Sequence, residues 1–195
     1  MERTVILYHG SACPDGFGAA YAAWKKFGDS AQYHPLARGE ELPLEICKDA
    51  QVYFVDFSYE QEDMDKFISV AAQLTVLDHH EGVRKVVESM PEYVFDNNRS
   101  GAGIAWDYFH PGVPRPTLLN LIEDDDLFRF ALADTRAVIT YLETLPFDFN
   151  VWDDVAKKLD DEAQSSAMLT KARLYREYFE RLAELSVERA KLVSF

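Results

Sequence analysis

The first 95 residues alternate short apolar runs with stretches of helical spacing. Residues 4–8, 51–57 and 73–77 are rich in Val, Ile, Leu and aromatic side chains and lack the polar alternation of a half-exposed strand. They read as strands buried on both faces. A weaker strand falls at 32–36 and another at 93–95, with helical spacing over 16–27 and 59–72. This alternation predicts a doubly wound α/β fold built on a parallel sheet of about five strands.

From Gly101 onward the strand signals give way to helices near 102–109, 116–122, 135–144 and 151–159, separated by proline-bearing turns. Met168, Ala172, Tyr175, Phe179, Leu182 and Leu185 then recur at three- and four-residue intervals, which predicts one long amphipathic helix. The expected layout is an α/β domain over residues 1–160 with a helical flank. A linker-like helix follows over 161–195, ending in a strand-like tail at 191–195.

Charge narrows the range of partners. The 195-residue chain carries a formal net charge of −14, which opposes a broad grip on long nucleic acid, where affinity comes from Lys and Arg on phosphates. A small phosphorylated substrate or a short oligonucleotide fits better. No run reaches the roughly 18 apolar residues of a membrane span, and the N-terminus enters a strand-like run without a leader. A cytoplasmic protein with no membrane partner is expected. Cys13 and Cys47 are the only cysteines, too few for a disulfide framework and in keeping with a reducing compartment.

Tyr8-His9-Gly10, Val55-Asp56-Phe57 and Leu77-Asp78-His79-His80 each place a metal-capable side chain directly after an apolar run. Open parallel sheets collect ligands in the crevice outside the carboxyl ends of their strands, so three such ends are expected to converge. Asp with His suits Mn²⁺, Mg²⁺ or Fe²⁺, and a pair of ions can clamp a phosphoryl group during displacement. Each feature has a plainer reading when taken alone. Asp15 before Gly16 reads as a helix cap, Ser100 as another, and Asp124-Asp125-Asp126 as a solvated acidic run.

Taken in order, these segments resemble the DHH phosphoesterase family, named for the triplet found here as Asp78-His79-His80. Four blocks carry the resemblance. The first runs from His9 through Cys13, Asp15 and Gly16 to Gly18, and the second is Val55-Asp56-Phe57-Ser58. The third is Leu77 to His80, and the fourth is Ile122-Glu123-Asp124 with Phe128. The resemblance implies two Mn²⁺ ions, with Mg²⁺ as an alternative. His9 and Asp56 would hold one ion, and Asp15, Asp56, His79 and Asp124 the other. It also implies that His80 faces the scissile phosphate, while Asp78 orients an imidazole from behind.

The family's first block usually carries an Asp four residues after its His. Cys13 stands there in this chain, either a candidate thiolate ligand that would change metal preference or weaken Mn²⁺ and Mg²⁺ binding, or a buried thiol with water in the ligand's place. Arg99, Ser100 and Gly101 precede a helix whose amides are expected to receive a substrate phosphate. The implied function is metal-dependent hydrolysis of phosphate esters or anhydrides by metal-activated water. The alternative is a degenerate family member acting as a binding or scaffold protein. Nothing after Phe130 resembles the glycine-rich, DHH-associated domain of many relatives, which implies a shortened chain or a single-domain form completed by homo-oligomerisation.

Overall fold

A computed structural model describes residues 3–10 and 12–190, so the strand-like tail expected at 191–195 lies outside the described residues. Strands β1 (Thr4–His9), β2 (Ala31–Leu36), β3 (Gln51–Val55), β4 (Gln73–Asp78) and β5 (Glu92–Phe95) form one all-parallel sheet in the order β2-β1-β3-β4-β5. The central strands are apolar throughout because both of their faces are covered. Val5, Leu7, Val52, Phe54, Leu74 and Val76 pack on one side with Met64 and Phe67 of α3 (Gln61–Val70). The same layer takes in Cys47 of α2 (Leu44–Cys47) and Val87 of α4 (Arg84–Val87). Their alternates Ile6, Tyr53, Val55 and Leu77 face the other layer.

That second layer is built by α1 (Pro14–Phe27) and α5 (Gly101–Phe109) against the sheet. Behind them lie α6 (Thr117–Asp126), α7 (Thr135–Leu142) and α8 (Phe149–Asp160). Trp152 of α8 is fully buried, and Phe17 of α1 stacks on Phe149 with ring centroids 4.8 Å apart. Asp153 ties the same two helices through Tyr21 Oη at 2.9 Å and Lys25 Nζ at 2.7 Å. Pro35 sits in β2 at the sheet edge, where a missing backbone donor costs no ladder bond.

The long helix α9 (Ser165–Arg189) starts against the domain, where Met168 and Ala172 are buried in the second core layer and Arg173 pairs with Asp134. Beyond Tyr175 the periodic apolar residues are more exposed, Phe179 at 44% and Leu182 at 40%. Helix α6 continues through Asp126, one turn past the expected end at Ile122. Among the described residues no helix is long and apolar enough to cross a membrane.

Candidate metal centre

The chain leaves β1 toward β2 on one side of the sheet and builds β3, β4 and β5 on the other, so the strand order switches direction between β1 and β3. The crevice at such a switch is where α/β sheets bind ligands. His9 is the last residue of β1, Asp56 follows the last residue of β3, and Asp78 ends β4 with His79 and His80 directly after it. Asp56 adopts a left-handed backbone, φ 58°, while its amide still donates to Leu77 O at 2.9 Å. A non-glycine residue held there is strained by about 1 kcal/mol or more, and such strain concentrates at functional sites.

Asp56 is the hub. Its Oδ2 lies 3.4 Å from His9 Nδ1 and 3.9 Å from Cys13 Sγ. Its Oδ1 lies 3.1 Å from His79 Nε2 and 3.8 Å from His80 Nδ1. His79 Nε2 is also 3.6 Å from Asp15 Oδ2 and 3.8 Å from Asp126 Oδ2. The sets His9–Cys13–Asp56, Asp56–His79–His80 and Asp15–His79–Asp126 each bring their ligand atoms within 4.8 Å of one another. Asp126 Oδ2 is buried without a hydrogen bond, and Asp56 Oδ1 and His79 Nε2, also buried, face each other at 3.1 Å without hydrogen-bond alignment. A buried polar atom whose hydrogen bond is not made costs about 1–3 kcal/mol, so three converging on one spot fit a ligand with positive charge.

Two helix N-termini close on this hub. Helix α1 begins at Pro14, with Cys13 as its cap and Cys13 Sγ accepting from Gly16 N at 3.4 Å. A Cβ on Gly16 would stand 2.2 Å from His9 O, and one on Gly101 would stand 2.4 Å from Asp56 Cβ. Both helices reach the strand ends only because these positions carry no side chain. Asp15, expected to double as the cap of its own helix, instead crosses to α5. Its carboxylate accepts from Gly101 N at 2.6 Å and Ala102 N at 2.9 Å.

Asp78 ends β4 directly before the two histidines. It is fully buried, its Oδ1 accepts from His79 N, His80 N and the His80 Nδ1 edge at 2.7 Å, and its Oδ2 accepts from Ser58 Oγ at 3.0 Å. That fixes the His80 ring, which is half-exposed, with Nε2 on the edge away from Asp78.

Charge balance explains the titration behaviour. Asp15 is pushed well above the ordinary carboxylate range by burial, then by the charges of Asp56 and Asp126. Asp126 is raised mainly by burial. His9 is pushed up to about 10, first by its hydrogen bond to Asp56 and then by Cys13. Burial works against a charged His79, but Asp56 and Asp126 still raise it. The raised carboxyls and raised imidazoles together mark a cluster whose carboxylates draw positive charge, from protons or from a bound cation.

Three sequence expectations fail here. Asp124 is not in the cluster. It lies two residues before Asp126 on α6, about 200° around the helix, and its carboxylate accepts from Ala131 N, Leu132 N and Thr135 Oγ1 to hold the next loop. Those bonds outweigh burial and lower its pKa. Asp126, which the sequence reading does not single out, stands in the cluster where Asp124 was expected. Arg99 does not wait for a phosphate, because its guanidinium is engaged by Glu123 at 3.0 Å and Asp107 at 2.8 Å. Ser100 is fully buried and caps α5 through Gly103 N at 3.1 Å, while the Gly101 amide is taken by Asp15. The helix N-terminus expected to bind substrate binds the chain's own carboxylate.

The chain matches no family model. It is 33% identical over 165 residues to uncharacterized protein R106 of Acanthamoeba polyphaga mimivirus, a match covering 76% of this chain and 39% of that protein. The chain thus spans about two fifths of the relative's length. In fold it is similar to the crystal structure of an uncharacterized protein from Helicobacter pylori G27. There the TM-score is 0.67 with 18% sequence identity, covering 90% of this chain and 62% of that one.

Proposed function

We propose that this chain is a divalent-metal-dependent phosphoesterase of the DHH type, cytoplasmic, acting on a phosphate ester or anhydride of a small or short substrate. The observation that carries this reading is the convergence of Asp56 Oδ1, His79 Nε2 and Asp126 Oδ2, all buried and none with an aligned hydrogen bond. The donor set supports it: His9, Asp15, Asp56, His79 and Asp126 are the residues that would hold the ions, with Cys13 beside them. Divalent ions there would supply Lewis-acid charge against phosphoryl oxygens and make water more acidic.

The chain's own groups supply orientation. Asp78 holds His80 Nδ1, which leaves Nε2 to donate to a non-bridging phosphoryl oxygen as charge develops on it. Asp15, clamped by two amides of α5, keeps one oxygen toward His79 and fixes the width of the cluster. The net charge of −14 supports a short substrate over a long polyanion.

The test is turnover of short oligonucleotides, bis-phosphorylated nucleosides and polyphosphate by metal-stripped protein with Mn²⁺ restored. Release of phosphate or mononucleotide, lost in Asp56→Asn, is the expected result. No turnover with any metal, together with unchanged ligand binding in Asp56→Asn, overturns the proposal and leaves a scaffold.

A further inference from the structure

We propose that the two halves of the cluster select different metals: His9, Cys13 and Asp56 form a zinc site, while Asp15, Asp56, His79 and Asp126 form a manganese or magnesium site. This rests on the metal-centre reading above and adds what each half prefers.

Asp56 divides the cluster. Its Oδ2 faces the imidazole of His9 and the sulfur of Cys13, whereas its Oδ1 faces His79 and, across that ring, Asp15 and Asp126. The first half therefore offers one nitrogen, one sulfur and one oxygen, and the second offers one nitrogen and three carboxylates. Thiolate and imidazole suit Zn²⁺, while carboxylates suit Mn²⁺ and Mg²⁺. Three protein ligands with an open fourth position are also the usual pattern of a catalytic zinc.

Distances agree with that division. With Zn–N and Zn–O near 2.0 Å, Zn–S near 2.3 Å and tetrahedral angles, the ligand separations come to about 3.3 Å for N to O and about 3.5 Å for S to O. The observed separations are 3.4 Å for His9 Nδ1 to Asp56 Oδ2 and 3.9 Å for Cys13 Sγ to Asp56 Oδ2. An ion there needs a shift of a few tenths of an ångström in one side chain. The sulfur is also held in place. Cys13 N donates to Gly10 O at 3.2 Å, Phe17 N donates to Cys13 O at 3.0 Å, and Ala12 turns the chain between them at φ 57°. Capping α1 does not by itself call for a cysteine, since Ser, Thr, Asp and Asn cap helices well. Cys47 is fully buried in the layer on the opposite face of the sheet, so Cys13 is the one thiol at the cluster.

Cobalt reads this directly, because a thiolate ligand gives Co²⁺ an intense near-ultraviolet charge-transfer band that nitrogen and oxygen ligands do not. Metal-stripped, reduced protein titrated with Co²⁺ is expected to bind two ions and to develop the band for one of them. Zn²⁺ removes the band at stoichiometric concentration, and Mn²⁺ in excess does not. Cys13→Ser, folded by circular dichroism, loses the band. Asp126→Asn keeps the band and binds one cobalt ion fewer. Cys13→Asp is expected to lower the zinc-over-manganese preference by more than about tenfold. Cobalt binding without a charge-transfer band, or a band that Mn²⁺ displaces as readily as Zn²⁺, overturns the zinc assignment and leaves the metal centre standing. Loss of the band in Asp126→Asn overturns the division into halves. Absence of any cobalt binding overturns both readings.

Discussion

Glu123 and Asp56 are both buried carboxylates beside the first turn of α5, and the chain treats them in opposite ways. Glu123 accepts from Arg99 Nε at 3.0 Å and Ser100 N at 3.2 Å, and it pairs with Arg115 at 3.1 Å. Asp56 shares its space with Asp15, Asp126 and three imidazoles, and among the described residues no Lys or Arg pairs with any of these three carboxylates. Burying a charge costs several kcal/mol unless it is paired. Guanidinium groups were available, and the fold spends them on Glu123. The difference separates a buried carboxylate matched by guanidinium groups from one that faces imidazoles and other carboxylates.

The strongest way to break the comparison is Asp56→Asn, which removes the hub. Turnover is expected to fall at least about 10³-fold, equivalent to ~4 kcal/mol of transition-state stabilisation, read as kcat/KM at saturating Mn²⁺. Next is Glu123→Gln, which leaves Arg99 and Arg115 short of a buried partner. Urea unfolding is expected to lose roughly 3 kcal/mol, with metal stoichiometry unchanged. An equal stability loss from Asp126→Asn in the absence of metal would erase the contrast.

Asp153 sharpens it from the compensated side. Burial works to raise its carboxyl, and hydrogen bonds from Lys157, Lys25 and Tyr21 outweigh that and hold it at about 2. A carboxyl depressed in the folded state adds stability that is complete above its unfolded value, ~3.9, and disappears as pH falls through the folded value. Between pH 5 and pH 2, wild type is expected to lose roughly 2 kcal/mol relative to Asp153→Asn, measured by denaturant midpoints across that window. The smallest expected effect has the opposite sign. Metal-free Asp126→Asn removes a half-buried carboxylate whose ionised form burial disfavours and should gain about 1 kcal/mol, while the same variant in Mn²⁺ is the less stable protein.

Much of this arrangement was legible in the sequence. Continuous apolar runs of Val, Leu and Phe gave the parallel sheet, because only a strand covered on both faces needs them. A polar residue after each of three such runs gave His9, Asp56 and the Asp78-His79-His80 turn, since parallel neighbours end on the same side. Asp126 was hidden because the acidic run after Ile122 looks like solvated loop. Once α6 is extended through that run, helical geometry sends Asp124 and Asp126 to opposite faces, and packing assigns only one of them to the cluster. The fate of Arg99, Ser100 and Gly101 was hidden for a different reason. Their partners Glu123, Asp107 and Asp15 come from separate elements, and nothing local in residues 99–101 indicates that their donors are already taken. Whether the last helix packs on the domain was open in the sequence, because Met168 and Ala172, which join the core, belong to the same periodic stripe that later runs into solvent.

The bonds from Gly101 and Ala102 to Asp15 join residues 86 and 87 positions apart, and the cluster also draws on Asp126 at the far end of α6. Nothing shorter than residues 9–126 holds all of its side chains. Closing loops of that length is entropically unfavourable and is rewarded only when the sheet and both helix N-termini have docked. The cluster is therefore complete only where the sheet, both helix N-termini and the end of α6 are all in place. An ion captured there reports a completed chain fold, where a site made of neighbouring residues would report only a local turn.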